Sequence, residues 1–397
     1  MPGSFFLFCS LFITSLCCAQ LPDKRYQYPI GLKDAYFGFS IGHINYKFTP
    51  AHLEQPFSVG AIEVPHTAVR FIIYGYRFGK YFSGQVSYMR PVTFARYRNV
   101  DGEDRFHNVW MSVGGLTLTG DFPVTKNLSV AGEAGLGVVT RKGFTVNEQL
   151  AMKSASYASI LMGGTLRYRI NKKWQLLLGT VMSPAHAKVK QPATVYHSAG
   201  FNYSLVPLSA EKIVKNQAEG HHFPHQFAYM GVSTNTVGYG ANNFLSEGTI
   251  PVFWGGEVHG KQGLTINYQR NIFHSRKVFS FDWGASLAGW KSNDLRQDFY
   301  TFSLSPILRF TAFRSKGLDL GFEYSVAGPT FISRPVIDNK LTGSKFTFYD
   351  FMGINAFAGK KKKIYSGLRI AHFSNGNMLP NNEGVKVPLT LNLGVAW

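Results

Sequence analysis

Apolar and polar side chains alternate with a period of two along much of this chain, most clearly in its second half. Tyr300, Phe302, Leu304, Pro306, Leu308 and Phe310 face one way, and Thr301, Ser303, Ser305, Arg309 and Thr311 the other. Phe279, Phe281, Trp283, Ala285 and Leu287 likewise oppose Ser280, Asp282, Gly284 and Ser286. From about residue 250 onward the pattern predicts eight strands: 250–258, 264–273, 277–290, 299–313, 318–327, 346–358, 364–374 and 388–397. The first half yields eight more, at 35–48, 68–78, 82–91, 107–120, 127–140, 157–170, 174–183 and 224–235. Between the sets, residues 236–249 are rich in Asn and Gly, show no alternation and read as a linker. The expected fold is all-β: two tandem eight-stranded antiparallel transmembrane β-barrels, over residues 20–235 and 250–397. A single barrel of about sixteen strands fits the same count.

Connection lengths give the sidedness. Outer-membrane barrels have short periplasmic turns and longer extracellular loops. Phe78–Tyr81, Pro123–Asn127, Asn171–Lys173, Arg314–Gly317 and Gly359–Lys363 are short, and they alternate with the long stretches 92–106, 141–156, 184–223, 328–345 and 375–387. The short set is read as periplasmic. In the closing segment Leu389, Leu391, Leu393, Val395 and Trp397 form one apolar row. A row ending in a C-terminal aromatic looks like the signal by which the outer-membrane assembly machinery recognises its clients, so that machinery is an expected partner through Trp397.

Composition agrees with export and a membrane. Residues 1–19 hold an apolar run from Phe5 to Leu16 and end in Cys17-Cys18-Ala19, which reads as a cleaved signal peptide. Cys9, Cys17 and Cys18 are the only cysteines, so the mature chain has no disulfide, thiol or cysteine-based metal chemistry. After the signal, no window holds eighteen consecutive apolar residues, which excludes a membrane-spanning helix. The 34 Phe, 20 Tyr and 41 Gly with only 16% charged residues suit a barrel that meets lipid outside and packs small and polar side chains inside. The net charge of +19 attracts polyanions. For an exported barrel the partner is lipid phosphate and not nucleic acid, and surplus cations at the extracellular rim would pair with such phosphates.

The candidate chemistry lies near the end. In Ile364–Ser374 one face carries Ile364, Ser366, Leu368, Ile370, His372 and Ser374, which puts an imidazole and a hydroxyl two positions apart on a mostly apolar, outward face. The pair sits toward the extracellular end of its strand, at the depth of the outer leaflet, where the acyl esters of lipopolysaccharide lie. Base-activated attack by serine on a lipid ester is the chemistry this geometry suits.

The run His372-Phe-Ser374-Asn375, followed by Asn382 and a closing strand with a terminal aromatic, resembles the outer-membrane lipid A deacylases, the acyloxyacyl hydrolases. Lys345–Gly353 is similar to the strand that precedes the catalytic one in that family. The resemblance covers about residues 250–397. It implies a serine esterase acting on lipid A of lipopolysaccharide, with His372 and Ser374 as base and nucleophile and with Asn375, Gly376 and Asn382 as oxyanion or substrate-binding donors. No cofactor or metal is implied. His221, His222 and His225 lack the further ligand that a metal site requires.

This sequence departs from the family at one position. Where its simplest members carry the Glu that orients the histidine, this chain has Lys386, which cannot accept the imidazole proton. Glu383 is the first candidate to replace it; Asp350 and Asn382 are others, and a dyad or an inactive site also fits. A non-catalytic lipopolysaccharide-binding or adhesin-like barrel is the rival reading, and a channel would need one wide barrel.

Overall fold

Strand alternation here produces two closed walls. The computed structural model describes residues 24–239, 256–376 and 382–397. The first barrel comprises β1 (Ala35–Asn45), β2 (Thr67–Arg77), β3 (Phe82–Pro91), β4 (Glu103–Pro123), β5 (Leu128–Lys142), β6 (Ala155–Arg169), β7 (Trp174–Ser183) and β8 (Thr194–Ser204). Each strand pairs antiparallel with the next, and β8 returns to pair with β1 from Tyr36↔Ser204 to Asn45↔Val195. The second comprises β9 (Gln226–Thr234), β10 (Val258–His274), β11 (Phe279–Ser292), β12 (Asp298–Arg314), β13 (Leu318–Ile332), β14 (Phe346–Ala358), β15 (Ile364–Ser374) and β16 (Val385–Ala396). It closes where β9 pairs with β16. Two rings of eight replace the single sixteen-stranded alternative, and with it the wide channel.

The total of sixteen strands is as expected, but two assignments change. The segment 224–235, expected to close the first barrel and placed in the domain 20–235, instead opens the second as β9. The eighth strand of the first barrel is β8, from within the expected loop 184–223. Most of the expected strand 250–258 and linker 236–249, like the signal segment 1–19, lies outside the described residues. The physical reason is that alternation identifies a strand and its faces but not its neighbours. Those are fixed by register: Met230 and Val232 of β9 stand beside Ile266 and Leu264 of β10 on one side and Leu393 and Leu391 of β16 on the other. Together they make one continuous apolar patch on the outer wall. Strand β8, Thr-Val-Tyr-His-Ser-Ala-Gly-Phe-Asn-Tyr-Ser, mixes aromatic, small and polar side chains on both faces, which blurs its alternation.

Each wall is apolar outside and polar inside. Leu116, Leu118, Leu178, Ile266, Leu287 and Leu393 are exposed on the outer surface, whereas no helix among the described residues is long and apolar enough to cross a membrane. Inside the first barrel, Arg70 makes a two-pronged contact with Glu133 at 2.5 and 3.0 Å, and Thr117 donates to the same carboxylate. Inside the second, Arg369 donates to Glu323 at 2.6 and 3.0 Å and to the Tyr229 hydroxyl, while Arg309 lies 3.1 Å from Asp282. Arg369 also rests on the Phe351 ring at 3.8 Å. These lumens are filled posts, as eight-stranded barrels of this size must be.

Both barrels share one polarity. The turns 78–81, 124–127, 170–173, 275–278, 315–317 and 359–363 lie at one end, with Trp397, whose carbonyl accepts from the amides of His225 and Gln226. The crossing from β8 to β9 is at that end too and contains helix α1 (Ala210–Glu219), capped by Ser209, which accepts from the Lys212 amide at 3.3 Å. At the opposite end the longer connections carry short strands, 59–63 and 95–100 on β4's overhang, and the hairpins 144–152 and 336–341.

The closure pattern predicts how fragments behave. Residues 205–397, given an export signal, contain all eight strands of the second ring and should yield a heat-modifiable, protease-resistant barrel. Residues 250–397 lack β9, leave the edges of β10 and β16 unpaired, and should not; gel mobility before and after boiling in detergent distinguishes them. Glu323→Gln leaves the Arg369 charge buried without its counter-ion, which should destabilise the second barrel by about 3–5 kcal/mol. Urea unfolding in detergent, followed by tryptophan fluorescence, measures the loss.

Candidate active site

Strands β14, β15 and β16 run side by side, and their register places three titratable residues abreast on the outer face: Asp350 opposite His372, and His372 opposite Lys386. The even-numbered face of β15 that carries the apolar Ile364, Leu368 and Ile370 carries His372 as well, so the histidine is on the wall and not in the lumen. It lies at the end of the strand away from Trp397, among the longer connections. Although outward, its side chain is only 2% exposed.

Asp350 holds that ring. Its Oδ2 is 3.0 Å from His372 Nε2, and its Oδ1 accepts the backbone N–H of Ala327. This second contact depends on a bulge: the β13–β14 register shifts between Ser325 and Gly328, and Ala327 sits within the shift at a φ of 55°. The irregularity turns the Ala327 amide toward the carboxylate. With Nε2–H given to Asp350, Nδ1 carries the imidazole lone pair.

Ser374 lies two positions on, where β15 ends. Its Oγ accepts from the Asn382 side-chain amide at 2.9 Å and from the Gly376 backbone N–H at 3.1 Å. Asn382 is fixed in turn by the Asn375 amide, which donates to its Oδ1 at 2.9 Å. Gly376 has a φ of 64°, a left-handed conformation that glycine adopts without strain and that turns its N–H back onto the serine. The Asn375 side chain is fully buried, and neither its nitrogen nor its oxygen meets a partner among the described residues. Of the residues expected from the sequence as oxyanion donors, Gly376 and Asn382 contact Ser374, and Asn375 contacts Asn382 through its backbone N–H.

The Glu383 expectation meets a different geometry. Its carboxylate is 3.5 Å from Lys142 at the end of β5, and its backbone is held by Leu341 and Glu257. The register between β15 and β16 shifts between Arg369 and Ala371, beside Pro388, which removes the simple parity that put Glu383 on the histidine's face. Asp350 makes the contact instead. Ala327 was not anticipated, since a bulge that displaces one backbone amide leaves no trace in residue types.

Beneath the site the lumen is closed by aromatic packing. Phe373 stacks on Tyr349 with ring centres 4.9 Å apart and meets Trp290 at 5.9 Å. The access route is therefore along the outer wall. His221, His222 and His225 are at the opposite end, where the His222 carbonyl accepts from Arg314.

No curated protein matches this chain. Among solved structures, the crystal structure of the outer membrane enzyme PagL aligns at 14% identity over 43% of this chain and 98% of that one, with a TM-score of 0.32. The outer membrane protein Ail of Yersinia pestis, in a phospholipid nanodisc, aligns at 18% identity over 43% of this chain and 99% of that one, with a TM-score of 0.24. Residues 262–396 match the family model described as lipid A 3-O-deacylase (PagL). That span, which takes in most of the second barrel and the whole His372–Ser374–Asn382 constellation, is similar to the lipid A 3-O-deacylase (PagL) family.

Proposed function

We propose that the second barrel is an outer-membrane serine esterase that removes an ester-linked acyl chain from lipid A of lipopolysaccharide. The observation that carries this reading is the arrangement around Ser374: a hydroxyl fixed by two N–H donors, two positions along a strand from a buried histidine that is bonded to a half-buried carboxylate, all on the lipid-facing wall. The family match over residues 262–396 supplies the substrate class.

In this mechanism Asp350 accepts a hydrogen bond from the Nε2–H of His372 and fixes the ring, so that Nδ1 takes the Ser374 proton as Oγ attacks the ester carbonyl. The carbonyl oxygen becomes an oxyanion. Asn382 Nδ2 and the Gly376 N–H, which in the resting site donate to Ser374 Oγ, are the donors that shift to stabilise it, and the buried amide of Asn375 is the third donor at hand. When the tetrahedral intermediate collapses, His372 returns its proton to the sugar oxygen and an acyl-serine remains. Water, deprotonated by the same histidine, then releases the fatty acid. No step needs a metal or cofactor. Lys386, on the far side of the ring from Asp350, cannot replace the acid; in this proposal the orienting carboxylate comes from the preceding strand and not the following one.

Export by residues 1–19 and recognition of Trp397 by the assembly machinery belong to the same proposal.

Two outcomes test the mechanism. Ser374→Ala should leave heat-modifiability unchanged and cost about 1 kcal/mol or less in stability. It should lower acyl release from purified lipid A, read by mass spectrometry, by several powers of ten, with His372→Ala alike and the double variant little worse. A folded Ser374→Ala protein that deacylates at the wild-type rate would falsify the serine mechanism. If the wild type releases no acyl chain, the lipopolysaccharide-binding reading takes its place. The second outcome concerns the acid: Asp350→Asn should lose most of kcat, whereas Glu383→Gln, which breaks only the partly exposed contact to Lys142, should stay within a few-fold of wild type. The reverse order would return the role to Glu383.

A further inference from the structure

The net charge of +19 is unevenly distributed between the two ends of the barrels. The six hairpin turns at the Trp397 end together hold eleven Lys or Arg and no Asp or Glu. Every one of the six contributes, from Lys80 in the first to the run Lys360–Lys363 in the last. The eight connections at the opposite end hold ten Lys or Arg against nine Asp or Glu, which is close to neutral. The expectation that surplus cations ring the extracellular rim is thereby reversed, because the surplus lies on the periplasmic side.

Internal pairing does not absorb this charge. Lys362 is buried against Asp319 at 3.0 Å, and Arg276 pairs with Glu219 at 2.5 Å, but Lys80, Lys126, Lys172, Lys277, Lys316, Lys360, Lys361 and Lys363 project from the surface. The β8–β9 crossing adds Lys212 and Lys215, matched by Glu211 and Glu219, and so leaves the excess unchanged. At the same level the wall is ringed by exposed aromatics, among them Phe78, Tyr81, Phe82, Phe122, Trp174 and Trp397. Lys80 Nζ stands 5.0 Å over the Tyr81 ring. Aromatic side chains in such a band sit at lipid headgroup depth, which sets the lysines just beyond it, at the height of phosphates.

We infer that the short-turn ends of the two barrels form one cationic collar that binds anionic phospholipid headgroups of the periplasmic leaflet. The collar is continuous with the lipid-facing apolar wall, so acyl chains and headgroup of one lipid are met by adjoining parts of the same surface. Its charge is one-signed and spread over two barrels, as suits a leaflet and not a single small ligand. Each cation close to an anionic leaflet raises partitioning about fivefold, and salt weakens the effect.

The test uses the full chain, purified in zwitterionic detergent and incubated with equimolar phosphatidylglycerol and phosphatidylethanolamine. Native mass spectrometry then reads the ratio of the two bound lipids. Wild type should favour phosphatidylglycerol by about tenfold or more at low salt and lose most of that preference at high salt. A variant carrying Lys172→Gln, Lys173→Gln, Lys360→Gln, Lys361→Gln and Lys363→Gln should fall toward no preference. One carrying Arg296→Gln, Arg334→Gln and Lys345→Gln at the other end should keep it. A wild-type ratio near one, a preference indifferent to salt, or equal loss in both variants overturns the inference. Should the first variant fail to fold, the wild-type salt series decides alone. Lysine-dependent cosedimentation with purified peptidoglycan, together with a lipid ratio near one, would assign the face to the wall polymer and overturn the lipid reading.

Discussion

Backbone hydrogen bonding is the constraint on which this structure depends. A strand that faces hydrocarbon has no water to satisfy its N–H and C=O groups, so every edge must find a partner and the sheet must close on itself. β8 therefore returns to β1 and β9 to β16, and the chain resolves into two independent rings. Closure of an up-and-down meander with an even number of strands also brings each ring's two termini to the same end. The crossing from β8 to β9 consequently runs along the end that carries the short turns, and the opposite end of both barrels is left to the longer connections, where His372 and Ser374 stand.

Closure at eight strands leaves a lumen only wide enough for side chains. Arg70 with Glu133, and Arg369 and Arg309 with Glu323 and Asp282, fill it with paired charge, and the Tyr349–Phe373–Trp290 group seals the region under the site. Since the interior is occupied, chemistry has only the outer wall on which to act. There a strand offers one side chain in two, and neighbouring strands supply the others. Asp350, His372 and Lys386 meet because three strands are in register, and Asn382, just ahead of β16, reaches Ser374 at the end of β15.

Much of this was legible in the alternation itself. The limits of β14 and β15 coincide with the sequence reading, as does the outward parity of His372 and Ser374. What alternation cannot carry is partnership. Residues 226–234 look like a closing strand and are an opening one, because an apolar stripe has the same period wherever it pairs. Residues 194–204 were missed because their outward face holds His197 and Ala199 beside Phe201, too little contrast with the inward Tyr196 and Asn202. The choice between Glu383 and Asp350 turned on the register shift near Pro388 and on a bulge at Ala327, both backbone events that residue types do not announce.

An outward-facing site on a solid post changes the units in which its substrate is counted. A soluble hydrolase draws from a volume and is saturated by a molar concentration, whereas a residue pair on a barrel wall samples only the ring of molecules packed around that wall. Its supply is a mole fraction, renewed by lateral exchange in two dimensions. Occupancy of the site would then respond to how the membrane is composed and how freely its outer leaflet mixes, and only weakly to how much membrane is present.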